Sequence, residues 1–286
     1  MPPNTLLESV LFPAVRLNKE KLGRMLQGKT ILITGASSGI GERLSYLLGE
    51  FDVRLILVAR REEKLLAMKR EIEEAGAARV DIHAGDLRKE EVLGELLRVL
   101  LRLQDGLDIV VSNAGLSIRR PVMDSLDRYH DFTRTMAINY FAPVRLLLSV
   151  IPQLLRNKGH VINVSTINTS LIPFPNWAAY QASKSAFDTW LRAAAPEWQA
   201  LGVSITSVYL PLVRTPMIEP TAAYRKLPAM SAEHAARTIA KSMYTRRQSL
   251  KPWWLIFGQL ASLLGRGLWE RYMPGVLRRK GERDFQ

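Results

Sequence analysis

The segment that most constrains the fold is a glycine-rich turn between a strand and a helix. A short β-branched run, KTILIT, leads into TGASSGIG at residues 34–41, which contains Gly35, Gly39 and Gly41. Glycine permits positive φ angles and lets a ligand approach the backbone closely. The helix that follows points its free N–H groups and its positive dipole end at this turn, where a phosphate binds favourably. Tight loops also use glycines, so the turn alone is weak evidence for a nucleotide site.

Strand and helix patterns alternate after this turn. Charged and leucine-rich helical segments at residues 62–75 and 89–103 separate the first apolar runs. The further predicted strands are VRLILVAR, ARVDIHAGD, LDIVVSNAG, GHVINVST and VSITSVYLP. Nearly continuous apolar strands are typical of a parallel sheet that helices cover on both faces. We therefore predict an α/β fold with a doubly wound parallel sheet, the Rossmann fold, over residues 28–256. Residues 1–27 are predicted to be an N-terminal extension and residues 257–286 a basic amphipathic C-terminal tail.

Composition limits the classes of function. The 286-residue chain has a formal net charge of +13, and residues 241–286 hold ten Lys and Arg against three Asp and Glu. There is no cysteine and the four histidines have no ligand spacing, so we expect no metal site. No nucleic-acid-binding module is recognisable, and we expect no nucleic-acid partner. The apolar segment at residues 253–265 is shorter than the ~20 residues that span a bilayer. Its first five residues, Trp253 to Phe257, either face lipid or form a seventh strand.

The second predicted strand ends in LVARREEK, which holds Arg60 and Arg61. In NAD sites an acidic residue near this position binds the ribose 2′-hydroxyl, whereas arginine accommodates a 2′-phosphate. A strand, a glycine turn, a helix and a second strand within about 30 residues favour a dinucleotide site. We therefore predict NADPH as the cofactor.

A tyrosine and a lysine lie four residues apart in WAAYQASKSAF, as Tyr180 and Lys184. Residues at this spacing share a helix face. A neighbouring ammonium stabilises a phenolate and lowers the phenol pKa from its ordinary value of ~10. Proton donation becomes easier as that pKa approaches the working pH. The pair is therefore a candidate proton donor and its partner.

These segments together resemble the short-chain dehydrogenase/reductase family over roughly residues 28–245. The resemblance rests on the glycine turn, on Asn113-Ala114-Gly115, on Asn139 in MAINYF, and on the Tyr180–Lys184 spacing. It implies that Tyr180 donates a proton, that Lys184 also holds the nicotinamide ribose, and that Asn139 holds a relay water. The implied cofactor-binding residues are Gly35, Ser37, Ser38, Gly39, Ile40, Gly41, Arg60, Arg61, Asp86, Leu87, Asn113, Ala114, Gly115, Tyr180, Lys184, Pro211, Val213 and Thr215.

The active-site serine of the family falls on an irregular segment. The family places it thirteen residues before the tyrosine, whereas the motif match INVST puts Thr166 in that position, fourteen residues before Tyr180. Either Thr166 or the preceding Ser165 has a hydroxyl that can bind a carbonyl oxygen. Alternation along a strand sends the two side chains to opposite faces. We favour Thr166, with the extra residue in the loop before Trp177, and keep Ser165 as the alternative.

A narrower resemblance concerns the substrate. The segments NAGLSIRRPVMDSLDRYHDFTRTMAINYF and PLVRTPMIEPTAAY are similar to those of bacterial fatty acyl-CoA reductases, although Leu116 replaces the usual arginine. The resemblance implies an NADPH-dependent reduction of a fatty acyl-CoA to an aldehyde. Arg119 and Arg120 are candidates to bind the CoA phosphates, or else belong to a solvated loop. His130 is either a catalytic accessory or a packed motif residue.

Two other functions stay open. One is a ketoreductase for a lipid ketone, such as a 3-oxoacyl or ketosphingoid substrate, which needs the same residues but no thiol leaving group. The other is a non-catalytic NADP-binding, membrane-associated scaffold. We expect a homo-oligomer in the cytoplasm. The C-terminal helix pattern mixes Leu, Trp and Arg as interfacial helices do, so peripheral contact with the inner face of the membrane stays open.

Overall fold

A computed structural model describes residues 5–219, 221, 224 and 227–284. The strands are β1 (Lys29–Thr34), β2 (Val53–Ala59), β3 (Arg79–Ala84), β4 (Ile109–Ser112), β5 (His160–Thr166), β6 (Ser204–Leu210), β7 (Val213–Arg214), β8 (Met230–Ser231) and β9 (Ser249–Leu250). The α-helices are α1 (Thr5–Leu11), α2 (Lys19–Leu26), α3 (Gly39–Gly49), α4 (Glu62–Ala75), α5 (Glu90–Leu101), α6 (Tyr129–Met136), α7 (Ala142–Arg156), α8 (Ala178–Ala200), α9 (Ala232–Thr245), α10 (Leu255–Leu264) and α11 (Arg266–Asp284).

Seven strands form one parallel sheet in the order β3-β2-β1-β4-β5-β6-β9. The strand order reverses between β1 and β4, which is the point where open α/β sheets bind ligands beyond the carboxyl ends of their strands. The predicted doubly wound parallel sheet is confirmed. The remaining two strands, β7 and β8, pair as a separate short ribbon next to this edge.

Two hydrophobic cores cover the faces of the sheet. One core packs α2, α3, α4 and α9 against the sheet, and the other packs α5, α7 and α8. Near-complete burial of β1, β4 and β5 explains why these strands read as continuous apolar runs rather than as an alternation. The two faces are therefore both closed, and the ligand edge is left open.

The seventh strand differs from the one that the sequence offered. The segment Trp253 to Phe257 is not a strand, because it runs into the first turn of α10. Ser249 and Leu250 pair with β6 instead and form the edge of the sheet. Two residues are too few to give a period-two signal, whereas the apolar Trp253 to Phe257 run imitates a buried strand.

Both ends of the chain pack against the sheet domain. Leu22 and Leu26 of α2 are fully buried in the first core.

Among the described residues, one helical stretch at residues 129–156 is long and apolar enough to cross a membrane. Its Leu147, Val150 and Leu154 side chains are fully buried in the second core, so the stretch is a core element of this fold.

Candidate active site

The glycine turn lies at the reversal point of the sheet, where three segments meet. Gly35 and Gly39 have φ angles of 70° and 58°, which a side chain disfavours. A Cβ on Gly41 would lie 2.3 Å from the Gly35 carbonyl oxygen, and a Cβ on Gly39 would lie 2.8 Å from Thr215. A Cβ on Gly35 would lie 2.9 Å from Ala114. The structure thus brings together the turn, the residues after β4 and the residue after β7, all of them among those that the sequence predicts to bind the cofactor.

The remaining predicted cofactor residues surround this turn. Ser37 is buried, Ser38 precedes the first residue of α3, and Ile40 lies half-buried in the first turn of that helix. Leu87 and Val213 are buried, whereas Pro211 and Gly115 are half-buried. The free N–H groups at the start of α3 face this edge of the sheet, so an anionic group is favoured there.

Asn113 holds the turn to the end of β4. Its side-chain amide donates to the carbonyl oxygens of Thr34, at 2.9 Å, and of Gly35, at 3.2 Å. The backbone N–H groups of Asn113 and Ala114 both donate to the Thr34 hydroxyl at 3.0 Å. These bonds fix the shape of the turn without any ligand.

The two arginines after β2 have different environments. The Arg61 guanidinium donates to the Ser37 carbonyl oxygen at 2.7 Å and lies over the glycine turn. Arg60 is exposed and makes no side-chain hydrogen bond among the described residues. The hydrogen bond from Arg88 lowers the pKa of the Asp86 carboxyl, and the charge of Arg60 lowers it further. Two cationic side chains, Arg60 and Arg61, therefore lie beside the position where a ribose 2′-substituent is expected.

The residues of the predicted catalytic set meet between the end of β5 and the start of α8. The Thr166 hydroxyl lies near the Tyr180 phenol, close enough to lower the pKa of the tyrosine against the effect of burial. Lys184 is 9% exposed, and its ammonium donates to the Val164 carbonyl oxygen at 3.1 Å. A Cβ on Gly115 would lie 3.5 Å from the Lys184 nitrogen, so the lysine also borders the turn after β4.

Ser165 points away from this meeting point. Its hydroxyl donates to Asp188 of α8 at 3.4 Å. The pairing of β5 with β6 is unbroken through Ser165 and Thr166, so the strand has no bulge. Residues Ile167–Ser170, directly after the strand, form a 3₁₀ helix. The extra residue of this segment therefore lies outside the strand, and alternation leaves Thr166 on the side of Tyr180.

Asn139 lies in a π-helical turn, Ala137–Phe141, between α6 and α7. Its amide donates to the Leu116 carbonyl oxygen and to the Ser183 hydroxyl, both at 2.9 Å, and its oxygen accepts from the Leu116 N–H at 2.9 Å. Single π turns often occur at functional sites. The Asn139 side chain thus connects the loop after β4 with α8, the two segments that border Lys184.

Burial dominates the proton affinities of the catalytic pair. Burial raises the pKa of Tyr180 to about 12, although the nearby Thr166 hydroxyl opposes this shift. Burial lowers the pKa of Lys184 to about 8, although the Asp188 carboxylate opposes it. The sequence-based expectation that Lys184 lowers the pKa of Tyr180 is therefore wrong for this structure. The Lys184 ammonium donates to the Val164 carbonyl oxygen. The loss of hydration on burial therefore affects the Tyr180 phenolate more than the charge of Lys184 does.

The two arginines predicted to bind substrate are neighbours in the segment at residues 116–131, but their surroundings differ. Arg120 donates to the buried Asp131 carboxylate at 3.2 Å, together with Arg128. Burial alone would raise the pKa of Asp131, but Arg128 and the other neighbouring cations lower it. Arg119 is exposed, and its charge lowers the pKa of Tyr224 against the effect of burial. His130 lies 3.4 Å from the Asp131 carboxylate and is half-exposed on α6.

Two residues near this site were missed in the sequence. Asp188 continues the face of α8 that holds Tyr180 and Lys184, and this second step of four residues was the available signal. Tyr224 stacks on Trp177 with ring centroids 5.8 Å apart, and Trp177 lies 5.4 Å from the Tyr180 ring. The Tyr224 hydroxyl is buried without a hydrogen-bond partner among the described residues. Tyr224 ends the segment PLVRTPMIEPTAAY, but that resemblance gives it no role, because its contact with Trp177 joins segments distant in sequence.

The doubly wound sheet, the glycine turn at its reversal point and the Tyr180–Lys184 pair define the class: a nucleotide-dependent oxidoreductase. The particular family follows from the sequence. The chain belongs to the short-chain dehydrogenase family, whose sequence model matches residues 29–226, more than half of its length.

Known proteins similar to the chain include two named reductases. A fatty acyl-CoA reductase from Acinetobacter baylyi is 40% identical over 239 residues, covering 83% of this chain and 79% of that protein. A fatty acyl-CoA reductase from Mycobacterium tuberculosis is 41% identical over 228 residues, covering 79% of this chain and 77% of that protein. A solved metagenomic short-chain oxidoreductase in complex with NADP is 27% identical, with a TM-score of 0.67, and covers 79% of this chain and 97% of that one. The predicted family and enzyme class are confirmed.

Proposed function

We propose that the protein is an NADPH-dependent fatty acyl-CoA reductase, which converts the thioester to a fatty aldehyde and releases CoA. The observation that carries this proposal is the identity of about two fifths to two reductases of that name across roughly four fifths of the chain. The fold alone would not choose the substrate, because one fold serves many chemistries.

The residues at the reversal point of the sheet fit a phosphorylated dinucleotide. Gly39 and Gly41 let the turn pack closely against Thr215 and the Gly35 carbonyl oxygen, since a Cβ at either position would collide with these atoms. Arg60 supplies an exposed cation beyond β2, which suits a 2′-phosphate. The likeness to a solved NADP complex supports the same cofactor.

The side chains at the end of β5 support a carbonyl reduction. NADPH, when bound, supplies the hydride. The Thr166 and Tyr180 hydroxyls donate hydrogen bonds to the thioester oxygen as it gains negative charge, a preorganised electrostatic role. Burial raises the pKa of Tyr180 to about 12, so the phenol is protonated at neutral pH, but it is a weaker proton donor than a phenol whose pKa lies near the working pH. The resulting hemithioacetal then loses the CoA thiol and leaves the aldehyde.

Among the described residues of the loop after β4, Arg119 is the cation available to the CoA phosphates. Arg120 is engaged with the buried Asp131, whereas Arg119 is exposed. Burial raises the pKa of Tyr224, and the nearby charge of Arg119 opposes this rise. Tyr224 stacks on Trp177, which contacts Tyr180. We therefore assign the phosphate contact to Arg119 and a structural role to Arg120.

Parallel measurement of NADPH oxidation and free thiol tests the function. Medium-chain and long-chain acyl-CoAs should oxidise NADPH and release one thiol for each aldehyde formed, and Tyr180→Phe should abolish both signals. NADPH oxidation with lipid ketones but not with acyl-CoAs would instead establish the ketoreductase. A parent protein that binds NADPH but does not oxidise it with any of the carbonyl substrates would establish the non-catalytic scaffold.

Cofactor choice is a separate prediction. Arg60→Asp should shift the ratio of kcat/KM values from NADPH toward NADH, because it reverses the charge beside the 2′-position. The control is Arg61→Gln, which removes the bond to Ser37 and should weaken both cofactors together. Steady-state kinetics with each cofactor measures the ratio. Equal efficiency of the parent protein with NADH and NADPH would contradict the prediction.

A further inference from the structure

Helix α10 turns apolar side chains toward solvent. Ile256, Phe257, Leu260, Leu263 and Leu264 are each between 50% and 82% exposed. Their spacing places them on one side of the helix. The opposite side packs on the protein, where Leu255 is fully buried. A surface helix of a globular protein normally has the reverse arrangement, with its apolar side inward.

Two neighbouring helices extend this surface. The indole N–H groups of Trp253 and Trp254 donate to the carbonyl oxygens of Val10, at 3.1 Å, and of Leu11, at 3.2 Å. They hold α1 beside the start of α10. We define the apolar face as the exposed side chains of Leu6, Leu7, Val10, Ile256, Phe257, Leu260, Leu263, Leu264, Leu268 and Tyr272. Exposed apolar surface of this extent marks an interaction site rather than ordinary solvent-facing surface.

The inner side of the same helices contacts the loop that leads to the active site. The Ile172 N–H donates to the Ser262 hydroxyl at 3.1 Å. The rings of Phe174 and Trp269 meet edge-on with centroids 5.6 Å apart. This loop continues to Trp177, whose ring lies 5.4 Å from that of Tyr180. A line of apolar and aromatic contacts therefore connects the apolar face with the proton donor.

The charge and the length of these helices indicate the partner. Residues 251–279 contain five basic side chains and one acidic one. Arg266 and Arg271 are exposed among the apolar residues. Ten residues of α10 extend about 15 Å, half of a bilayer core of about 30 Å, so the helix cannot span it. Helix α11 has 19 residues but is too polar to be a candidate membrane span among the described residues. Apolar and basic residues on helices that do not span are typical of helices that lie in the interface of an anionic membrane.

We propose that the apolar face docks on the surface of an anionic phospholipid bilayer and that the acyl chain reaches Tyr180 from this side, past the loop at residues 171–177. The second half rests on the proposed function, whereas the docking does not. An acyl chain partitions into a bilayer, so docking places the loop next to its source.

Vesicle sedimentation tests the docking without substrate or cofactor. The parent protein should pellet with phosphatidylcholine vesicles containing phosphatidylglycerol, and less with phosphatidylcholine alone. The double variant Phe257→Glu, Leu264→Glu should lower the partition coefficient about tenfold or more, because both side chains leave the apolar phase. The matched control is Leu66→Glu, Leu201→Glu, which changes two exposed leucines elsewhere and should bind as the parent does.

Sedimentation velocity without vesicles and activity with a short, water-soluble acyl-CoA complete the test. Both double variants should keep the oligomeric state and the turnover of the parent. A parent that stays in the supernatant, or a double variant on the apolar face that binds like the parent, overturns the proposal. Loss of an oligomer in that variant would also overturn it and make the face a contact between copies. Absence of acyl-CoA reduction with vesicle binding intact would refute the proposed function and leave the docking standing.

Discussion

At the scale of single residues, the register of β5 determines which of two adjacent hydroxyls, Ser165 or Thr166, lies near Tyr180. Ser165 and Thr166 are adjacent, but β5 keeps its register and sends them to opposite sides. The Thr166 hydroxyl lies near Tyr180, whereas Ser165 donates to Asp188, two helical turns further along α8. Under the proposed function the choice of hydroxyl depends on this one step in the strand, and one residue of slippage would exchange the two positions.

Paired variants at these two positions test that assignment. Thr166→Val keeps the branched shape, removes the hydroxyl, and should lower kcat about 10²-fold or more, as loss of an oxyanion donor typically does. Ser165→Ala should change kcat little. Single-turnover rates with saturating NADPH separate this effect from binding. An inactive Ser165→Ala protein together with an active Thr166→Val protein would show that the assignment is reversed.

Asp188 should set the alkaline limit of activity through Lys184. The pKa of Lys184 is lowered to about 8, so the lysine loses its charge as the pH rises through this value, and kcat/KM should fall with it. Tyr180, with a pKa of about 12, stays protonated over that range. Asp188→Asn removes the carboxylate that raises the pKa of Lys184, and should move the fall to lower pH.

The pH dependence of kcat/KM for the parent, Asp188→Asn and Asp188→Glu measures this effect. The glutamate variant keeps the charge and should restore the parent profile. A merely structural role would lower the rate at every pH without moving the limb, so coincident limbs in the parent and Asp188→Asn would contradict the electrostatic role.

At the scale of elements, the β1–α3 turn depends on glycine for two separate reasons. Gly39 has a positive φ angle that a side chain disfavours. Gly41 has no room for a side chain, because its Cα lies against the Gly35 carbonyl. The second requirement is invisible in a sequence. It comes from the close passage of the turn over the first turn of α3, which also directs the helix N–H groups at the ligand position.

Two glycine-to-alanine variants distinguish these requirements from general helix propensity. Gly41→Ala should destabilise the fold and abolish NADPH binding, because its Cβ would lie 2.3 Å from a backbone oxygen. Gly94→Ala, in α5, meets no atom within 4 Å and should stabilise the protein by up to ~1 kcal/mol. Chemical denaturation and NADPH fluorescence titration measure both effects. Normal NADPH affinity in Gly41→Ala would contradict the crowded geometry.

Sequence patterns predicted elements better than they predicted contacts. The strand and helix alternation, the glycine turn and the Tyr180–Lys184 spacing are local patterns, so they could be recognised in the sequence. The edge strand β9 was not, because two residues carry no period and Trp253 to Phe257 offered a stronger apolar signal. The pKa of Tyr180 was misjudged because burial, which depends on the packed fold, outweighs the charge that the sequence displays.

At the scale of the whole molecule, α1 connects distant parts of the chain. Both carboxylate oxygens of Glu8 accept from the Arg214 guanidinium, and one also accepts from the Ala229 N–H at 3.1 Å. The same helix accepts the indole N–H groups of Trp253 and Trp254. The N-terminal helix thus joins the β7–β8 ribbon, next to the cofactor edge, with the C-terminal helices.

Glu8→Gln should therefore lower the free energy of unfolding by about 1 kcal/mol, a charged hydrogen bond discounted for the partial exposure of Arg214. Arg214 lowers the pKa of Glu8 below its ordinary value of 4.5. Its stabilisation is present above the ordinary value and lost as the pH falls through the lowered one. The parent and the variant should therefore converge in acid.

Urea denaturation at neutral and acidic pH measures this difference. Glu95→Gln is the control, because Glu95 is exposed and lies 3.9 Å from Arg98, and it should change stability by less than about 0.5 kcal/mol. A constant difference between the parent and Glu8→Gln down to strongly acidic pH would show that the charge of Glu8 is not the cause.

The contact between Phe174 and Trp269 also bears on how such a protein diverges. The proton donor and the nucleotide turn lie within residues 29–226, whereas Trp269 belongs to a segment beyond that range. Under the proposed docking, mutations in α10 and α11 would change one wall of the approach to Tyr180 without changing the candidate catalytic side chains. Selection on lipid preference would then act on the C-terminal helices while purifying selection preserves the candidate catalytic set, so related lineages would share one reaction and differ in the lipids they use.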